Sequence, residues 1–145
     1  MKVGSRGDYG LRAMVYLAAQ ADPKKPVQIH AIATHQKIPE DYLRQLLINL
    51  RTAGLVRSIR GPHGGYILAK DPQTISMGEI IEILEGGMEE MHCSHYAKGD
   101  ERCGILAGCN IRARWRDAVA RMNDVLYSTT IADLVAEAPI TPAAQ

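Results

Sequence analysis

Apolar residues along the chain fall into helical spacings, interrupted once by two short strand-like runs. From Asp8 the set Leu11, Met14, Val15 and Ala18 recurs every three or four positions, which predicts a first helix over residues 8–21. Asp22-Pro23-Lys24-Lys25-Pro26 breaks it, because proline removes a backbone donor and clashes with the preceding turn. Ile29, Ile32 and Ala33 mark a short second helix ending near Gln36. Pro39 then stands where a first helical residue tolerates proline. Leu43, Leu46, Leu47 and Leu50 form the i, i+3, i+4, i+7 stripe of a third helix, with Gly54 as its stop.

Two β-type runs follow, residues 55–59 and 65–69, joined by Arg60-Gly61-Pro62-His63-Gly64. Glycine supplies the backbone freedom a hairpin turn needs. Helix, short helix, turn, helix and a hairpin with a basic tip is the pattern of a winged helix-turn-helix. The fold class expected is therefore mainly α with a small β-hairpin, followed by a long dimerisation helix. Ser76-Met77-Gly78-Glu79 has capping-box spacing and opens a fourth helix through Ile80, Ile81 and Leu84. Residues 88–109 show no periodicity. From Asn110 a long helix begins, in which Ile111, Trp115, Ala118, Met122 and Val125 are spaced 4, 3, 4 and 3 apart. That is a heptad seam, widened by Val119 and Leu126, and it suits pairing between two subunits better than packing on one small domain. Thr130 to Glu137 predicts a short last helix. The expected organisation is residues 1–75 for a winged DNA-binding region, 76–138 for dimerisation and sensing, and 139–145 as a flexible tail.

Charge sharpens this division. The chain carries a net charge of only +1, but the two halves differ. Residues 1–70 hold 11 Lys and Arg against 4 Asp and Glu, a net +7, whereas residues 71–145 hold 6 against 12, a net −6. A basic front half beside an acidic rear half suggests that only the first meets a polyanion. At 46% apolar residues the chain has enough to bury a core and lacks the composition of a disordered one. It has no apolar stretch long enough for a membrane span, and its opening residues lack the apolar run of a secretory signal. A cytoplasmic protein with reduced thiols is the expectation. Nothing resembles a Ser/His/Asp set, a phosphate loop or paired catalytic carboxylates, so an enzyme is not expected.

A recognition helix needs an apolar face toward the domain and a polar N-terminal face toward base edges. The third helix supplies both: its leucines point inward, while Glu40, Asp41, Arg44, Gln45 and Asn49 point out. Arginine pairs bidentately with guanine and glutamine with adenine, which makes Arg44 and Gln45 the candidates for base contact. Arg60, flanked by Gly61, His63, Gly64 and Gly65, suits entry into a narrow minor groove. Ser5, Arg6, Lys24, Lys25 and Arg57 are candidates for phosphate contact, which fixes register without reading sequence. Each of these side chains also has an ordinary reading as part of a solvated surface.

Cys93, Cys103 and Cys109 fall within seventeen residues of the aperiodic segment. Three thiols in a reducing compartment seldom form a structural disulfide, and thiolates are soft ligands for zinc or iron–sulfur. The C-x9-C-x5-C spacing fits no usual zinc pattern. Inert buried cysteines and a thiol redox switch stay open beside metal ligation.

Residues 5–14, SRGDYGLRAM, and residues 56–69, VRSIRGPHGGYILA, resemble the family of IscR, NsrR, RirA and CymR, the Rrf-two type regulators. The resemblance runs from this N-terminal motif to the long helix. It implies a homodimeric transcription regulator, with repression the expected mode, on a partly palindromic double-stranded DNA operator. The third helix would enter the major groove and the wing the minor groove. It further implies an iron–sulfur cluster, [4Fe-4S] or [2Fe-2S], on Cys93, Cys103 and Cys109, sensing redox, nitric oxide or iron status. Its five-residue second gap matches the family, whereas the nine-residue first gap is longer than usual. IscR-like members take a fourth ligand from a His three residues past the last Cys. Arg112 stands there instead, and guanidinium cannot ligate. NsrR-like members use an N-terminal aspartate of the partner subunit, a position that Asp8 occupies; His92 and His95 are substitutes. Arg44 stands where IscR has an acidic residue, at a position that bears on sequence choice there, so the resemblance does not carry the operator sequence over to this chain. The alternatives are a cluster-free or zinc-bound regulator of the same fold, acting by thiol oxidation or through a protein partner, and more remotely a small redox metalloprotein.

Overall fold

Four leucines on one helix organise the core. Leu43, Leu46, Leu47 and Leu50 are each no more than 2% exposed, and around them gather Met14, Tyr16, Ile32, Leu55, Ile75, Ile80, Leu84 and Ile131. Burying one such aliphatic side chain contributes roughly 1.5–3 kcal/mol, so this cluster carries much of the folding free energy. The computed structural model describes residues 3–86 and 110–137. In chain order these form α1 (Ser5–Ala18), α2 (Ile29–Gln36), α3 (Glu40–Thr52), β1 (Val56–Ile59), β2 (Gly65–Leu68), α4 (Met77–Glu85), α5 (Asn110–Ser128) and α6 (Ile131–Glu137). A 3-10 turn, Pro72–Thr74, precedes α4 and was not read from the sequence; Asp71 caps it by accepting from Gln73 N at 2.9 Å.

Helix α1 packs on α4, α6 and α2. The approach of α1 to α4 is close enough that a Cβ at Gly10 would lie 2.0 Å from Leu84 Cδ1. Strands β1 and β2 pair antiparallel, with Val56 opposite Leu68 and Ile59 opposite Gly65. An isolated bridge adds Val27 beside Tyr66, through Val27 N to Tyr66 O at 2.9 Å and Tyr66 N to Val27 O at 2.8 Å. A second bridge joins Ser76 to Thr130. The architecture is the expected one, mostly helical with one small hairpin among the described residues.

Several helix boundaries differ from the periodicity, and at one of them a partner distant in sequence supplies the cap. α1 spans 5–18 instead of 8–21, so Ser5 and Arg6 lie inside the helix, not ahead of it. At its start, Gly7 N donates to Glu85 Oε1 at 2.7 Å, and at its end the Gln20 side chain donates to Tyr16 O at 2.6 Å. Pro39 is the residue before α3, with extended ψ of 127°, and its carbonyl accepts from Leu43 N at 2.9 Å. α2 ends without glycine: Lys37 takes the left-handed φ of 52°, and Ile38 N closes the turn on Ala33 O at 2.9 Å. That backbone costs roughly 1–2 kcal/mol, offset here by burial of Ile38 to 4% exposure. α3 stops as expected, with Gly54 at φ 76° and Leu55 N bonded to Leu50 O at 2.9 Å. Ser76 caps α4 by accepting from Glu79 N at 3.1 Å. Thr130 and Asp133 cap α6 reciprocally, at 2.8 Å and 3.1 Å, which starts the helix at Ile131, one residue later than the periodicity gives.

Candidate nucleic-acid interface

The outward face of α3 follows from its inward one. With Leu43, Leu46, Leu47 and Leu50 buried, helical geometry leaves Asp41, Arg44, Gln45 and Ile48 exposed and Glu40 and Asn49 half-buried. Asp41 lies in the first turn, where a carboxylate offsets the helix dipole. Arg44 Nη2 donates to Glu40 Oε1 at 3.1 Å, and the other oxygen of Glu40 lies 3.2 Å from His30 Nδ1 on α2. The Glu40–Arg44 pair has the i,i+4 spacing of one helix face, whereas the contact with His30 was not legible from periodicity, because His30 belongs to another element.

The start of α1 reaches the same end of α3. Ser5 Oγ and the Tyr42 hydroxyl are 3.4 Å apart, and the Tyr9 and Tyr42 rings meet edge to face at 5.8 Å. Arg12 lies over the Tyr9 ring, 5.5 Å from its centre, and pairs with Asp8 at 3.4 Å. Ser5, Arg6 and Asp8 are all exposed. Sequence reading missed this tyrosine pair, because an aromatic on an amphipathic helix looks like any core residue until its neighbour is known.

Arg60, Gly61, Pro62 and His63 form an exposed hairpin tip, closed by Gly64 N donating to Gly61 O at 3.0 Å. Below it the backbone is crowded: a Cβ on Gly65 would lie 2.3 Å from Val27 O. The Val27–Tyr66 bridge thus pins the root of the wing while the tip projects. Lys24 and Lys25 are exposed on the turn between α1 and α2, where Asp22 Oδ1 accepts from Lys24 N at 2.9 Å. Arg57 is exposed on β1. The sequence-predicted cations and the polar face of α3 are thus all accessible to a ligand.

Helix α5 presents an apolar stripe outward. Ile111 and Val125 are 63% exposed and Trp115 38%, with Ala118 exposed and Met122 half-buried. Its C-terminal end is held down, since the Tyr127 hydroxyl donates to Glu82 Oε2 on α4 and its ring covers Gly78. Cys93, Cys103, Cys109, His92, His95 and the tail at 139–145 lie outside the described residues. Among the described residues no group of three or more His, Cys, Asp and Glu side chains gathers to hold a metal. Nor is any described helix long and apolar enough to cross a membrane.

Residues 3–137 match the Rrf2 family, described as iron-dependent transcriptional regulators. The chain belongs to the Rrf2 family. It is 38% identical to the regulator IscR of Vibrio vulnificus over 137 residues, covering 94% of this chain and 79% of that protein. It is 39% identical to the regulator CymR of Bacillus subtilis over 134 residues, 92% of this chain and 89% of that one. The solved structure of that CymR, the global cysteine regulator of its organism, superposes with a TM-score of 0.74, covering 95% of this chain and 98% of the other at 37% identity. The T. potens IscR structure gives 0.73, covering 100% and 93% at 36% identity. This Rrf2 chain is accordingly a winged-helix, DNA-binding transcriptional regulator and not an enzyme.

Proposed function

We propose that this Rrf2 regulator acts as a homodimer on a partly palindromic operator, with α3 in the major groove and the wing tip in the minor groove. The observation that carries the reading is the exposed α3 face, Asp41, Arg44 and Gln45, set opposite four buried leucines, together with an exposed Arg60 at the hairpin tip. In this reading Arg44 and Gln45 contact bases. Arg60, aided by Gly61, His63, Gly64 and Gly65, reads minor-groove shape. Ser5 and Arg6 meet phosphate near the α1 N-terminus, where backbone N–H groups favour anions. Ile111, Trp115, Ala118, Met122 and Val125 pair two α5 helices, and a dimer reader needs half-sites roughly 34–36 Å apart.

Cys93, Cys103 and Cys109 fit an iron–sulfur cluster by donor chemistry, with Asp8 of the partner subunit as an oxygen ligand. Asp8 suits that part: its side chain is 56% exposed and its pairing with Arg12 is a surface contact of little worth. When bound, such a cluster supplies sensitivity to oxidant, nitric oxide or iron supply. The chain's own residues then carry the signal, since Cys109 immediately precedes Asn110, the first residue of α5. Such a signal acts only through a different affinity for two dimer arrangements. A second reading, favoured by the likeness to the cysteine regulator CymR, is a cluster-free protein that acts through thiol oxidation or a protein partner. A zinc-bound variant of it would be colourless.

Purification without oxygen, iron and sulfide assay, and operator affinity of the intact, metal-stripped and Cys93→Ala proteins separate these readings. Colour with stoichiometric iron and sulfide, and affinity that changes on stripping, is the expected result. Equal affinity of all three proteins ends the sensing proposal. Oxidant-dependent binding without iron or sulfide favours the second reading. Absence of any salt-dependent affinity for duplex DNA ends the operator proposal.

A further inference from the structure

The geometry points to Glu40 as a specificity-determining residue that positions Arg44; this rests on the reading that Arg44 contacts a base. One carboxylate serves two helices. Its Oε1 takes the Arg44 Nη2 donor at 3.1 Å, and its Oε2 faces His30 Nδ1 at 3.2 Å. Glu40 is also the most sheltered of the three, at 37% side-chain exposure against 48% for Arg44 and 79% for His30. The carboxylate is thus the inner member of the trio, and the Arg44 and His30 side chains are the more exposed ones.

An arginine on a bare helix face samples many rotamers and loses that freedom when it docks on a base. Held by Glu40, Arg44 has already lost part of it. Guanidinium has five N–H donors in a fixed fork, so engaging one edge leaves others for the O6 and N7 of a guanine. His30, from α2, steadies the carboxylate so that it does not simply follow Arg44 off the helix.

The same carboxylate repels phosphate. It lowers affinity for every duplex, while the correct base pair regains part of the loss through an oriented Arg44. Glu40 therefore exchanges affinity for discrimination, and this gives the inference a signature that charge alone does not share. A carboxylate that only repelled DNA would weaken all sequences by one common factor.

The test uses the full chain. Randomised duplexes selected by the wild-type protein define a preferred operator, and affinities for it, its single-base variants and a non-specific duplex are measured by fluorescence anisotropy. In Glu40→Ala the operator-to-variant ratio at one base pair is expected to fall about three- to tenfold, the effect of releasing one side chain, while non-specific affinity rises. Glu40→Gln, which keeps the shape and an acceptor, recovers part of the ratio, and His30→Ala loses part of it. In an Arg44→Ala background Glu40→Ala no longer alters the ratio. Uniform tightening of all duplexes by Glu40→Ala, or a loss that persists without Arg44, overturns the inference. If Arg44→Ala relaxes one base pair and Glu40→Ala does not, only the role of Glu40 fails. If Arg44→Ala changes no base preference, the base-reading role of Arg44 fails and this inference with it.

Discussion

The backbone N–H of Gly7 donates to Glu85 Oε1 at 2.7 Å, which ties the first turn of α1 to the last residue of α4. A helix start leaves unsatisfied donors with a partial positive charge, and Glu85 answers one of them from another element. No side chain caps α1 locally, since Gly4 occupies the cap position. In sequence, Glu85 also stands just ahead of the segment that bears the three cysteines. One carboxylate therefore connects the end of α4 to the helix carrying Ser5, Arg6 and Asp8.

Removing it has a measurable cost. Glu85→Ala is expected to destabilise the fold by about 1–2 kcal/mol, the usual effect of losing a helix N-terminal acceptor, and Glu85→Gln by less. Urea unfolding monitored by circular dichroism reads this as a lower midpoint at unchanged slope. A midpoint equal to wild type in Glu85→Ala means that the contact contributes nothing.

The wing root is expected to be intolerant of any side chain at Gly65. Its Cβ would lie 2.3 Å from Val27 O and 2.5 Å from Val27 C, which are backbone atoms with little room to give. Gly65→Ala should cost roughly 1–3 kcal/mol, as overpacking does, and should weaken binding to any duplex by displacing Arg60. Gly61 has open space around it, so its alanine variant meets no such clash and is strained only through its backbone φ of 118°. Native stability in Gly65→Ala contradicts the crowding described.

Alkaline pH provides a check on the α4–α5 contact. The hydrogen bond to Glu82, then burial, then repulsion by Glu82 and Glu79 raise the Tyr127 hydroxyl above the ordinary value of 10.0. Between that value and the higher folded one, the native chain keeps a proton that the unfolded chain has lost. The contribution is full below pH 10 and disappears as pH rises through the folded value. Thermal unfolding across this window is expected to drop more steeply for wild type than for Tyr127→Phe. Parallel profiles for the two proteins refute it.

At the α5 stripe, Trp115→Glu or Val125→Glu is expected to convert a homodimer to a monomer in sedimentation. Operator affinity should fall by at least tenfold, equivalent to about 1.4 kcal/mol, because one half-site is lost. Trp115 is the chain's single tryptophan and is 38% exposed in one protomer, so its emission should move to the blue as concentration rises. Concentration-independent emission and a monomeric wild type rule out pairing through this face.

Helix positions were legible in the sequence because each depends on a local stripe. Leu43, Leu46, Leu47 and Leu50 identify their own inward face, and Ser76 with Glu79 marks its own helix start. What escaped was pairing across elements. The Val27 bridge to Tyr66 joins a single residue to a strand, too short to show any alternation. Glu85 on Gly7 and His30 on Glu40 are contacts between separate helices, for which no spacing rule exists. The outward candidates Arg44 and Gln45 were found because inward neighbours define an outward face, and Arg60 because glycines mark a hairpin tip, whereas the reach of His30 to the Glu40 that pairs with Arg44 is a property of the folded chain alone.

Tyr127 and the backbone bond from Met77 N to Thr129 O, at 2.8 Å, fasten one end of α5 to α4. The opposite end stands out from the core, with Asn110, Ile111, Ala113, Arg114 and Trp115 all exposed. Within one protomer such a helix is a lever fixed at its C-terminus, its far end left for the proposed pairing with a second α5. Between Tyr127 and Asn110 the arm is about 25 Å long, so a tilt of about 10° at the clamp sweeps its tip by about 4 Å. That sweep exceeds the 3.4 Å rise between neighbouring base pairs. A modest rotation at a tyrosine anchor thus becomes, at the arm's tip, a shift of the size that separates one reading frame on a duplex from the next.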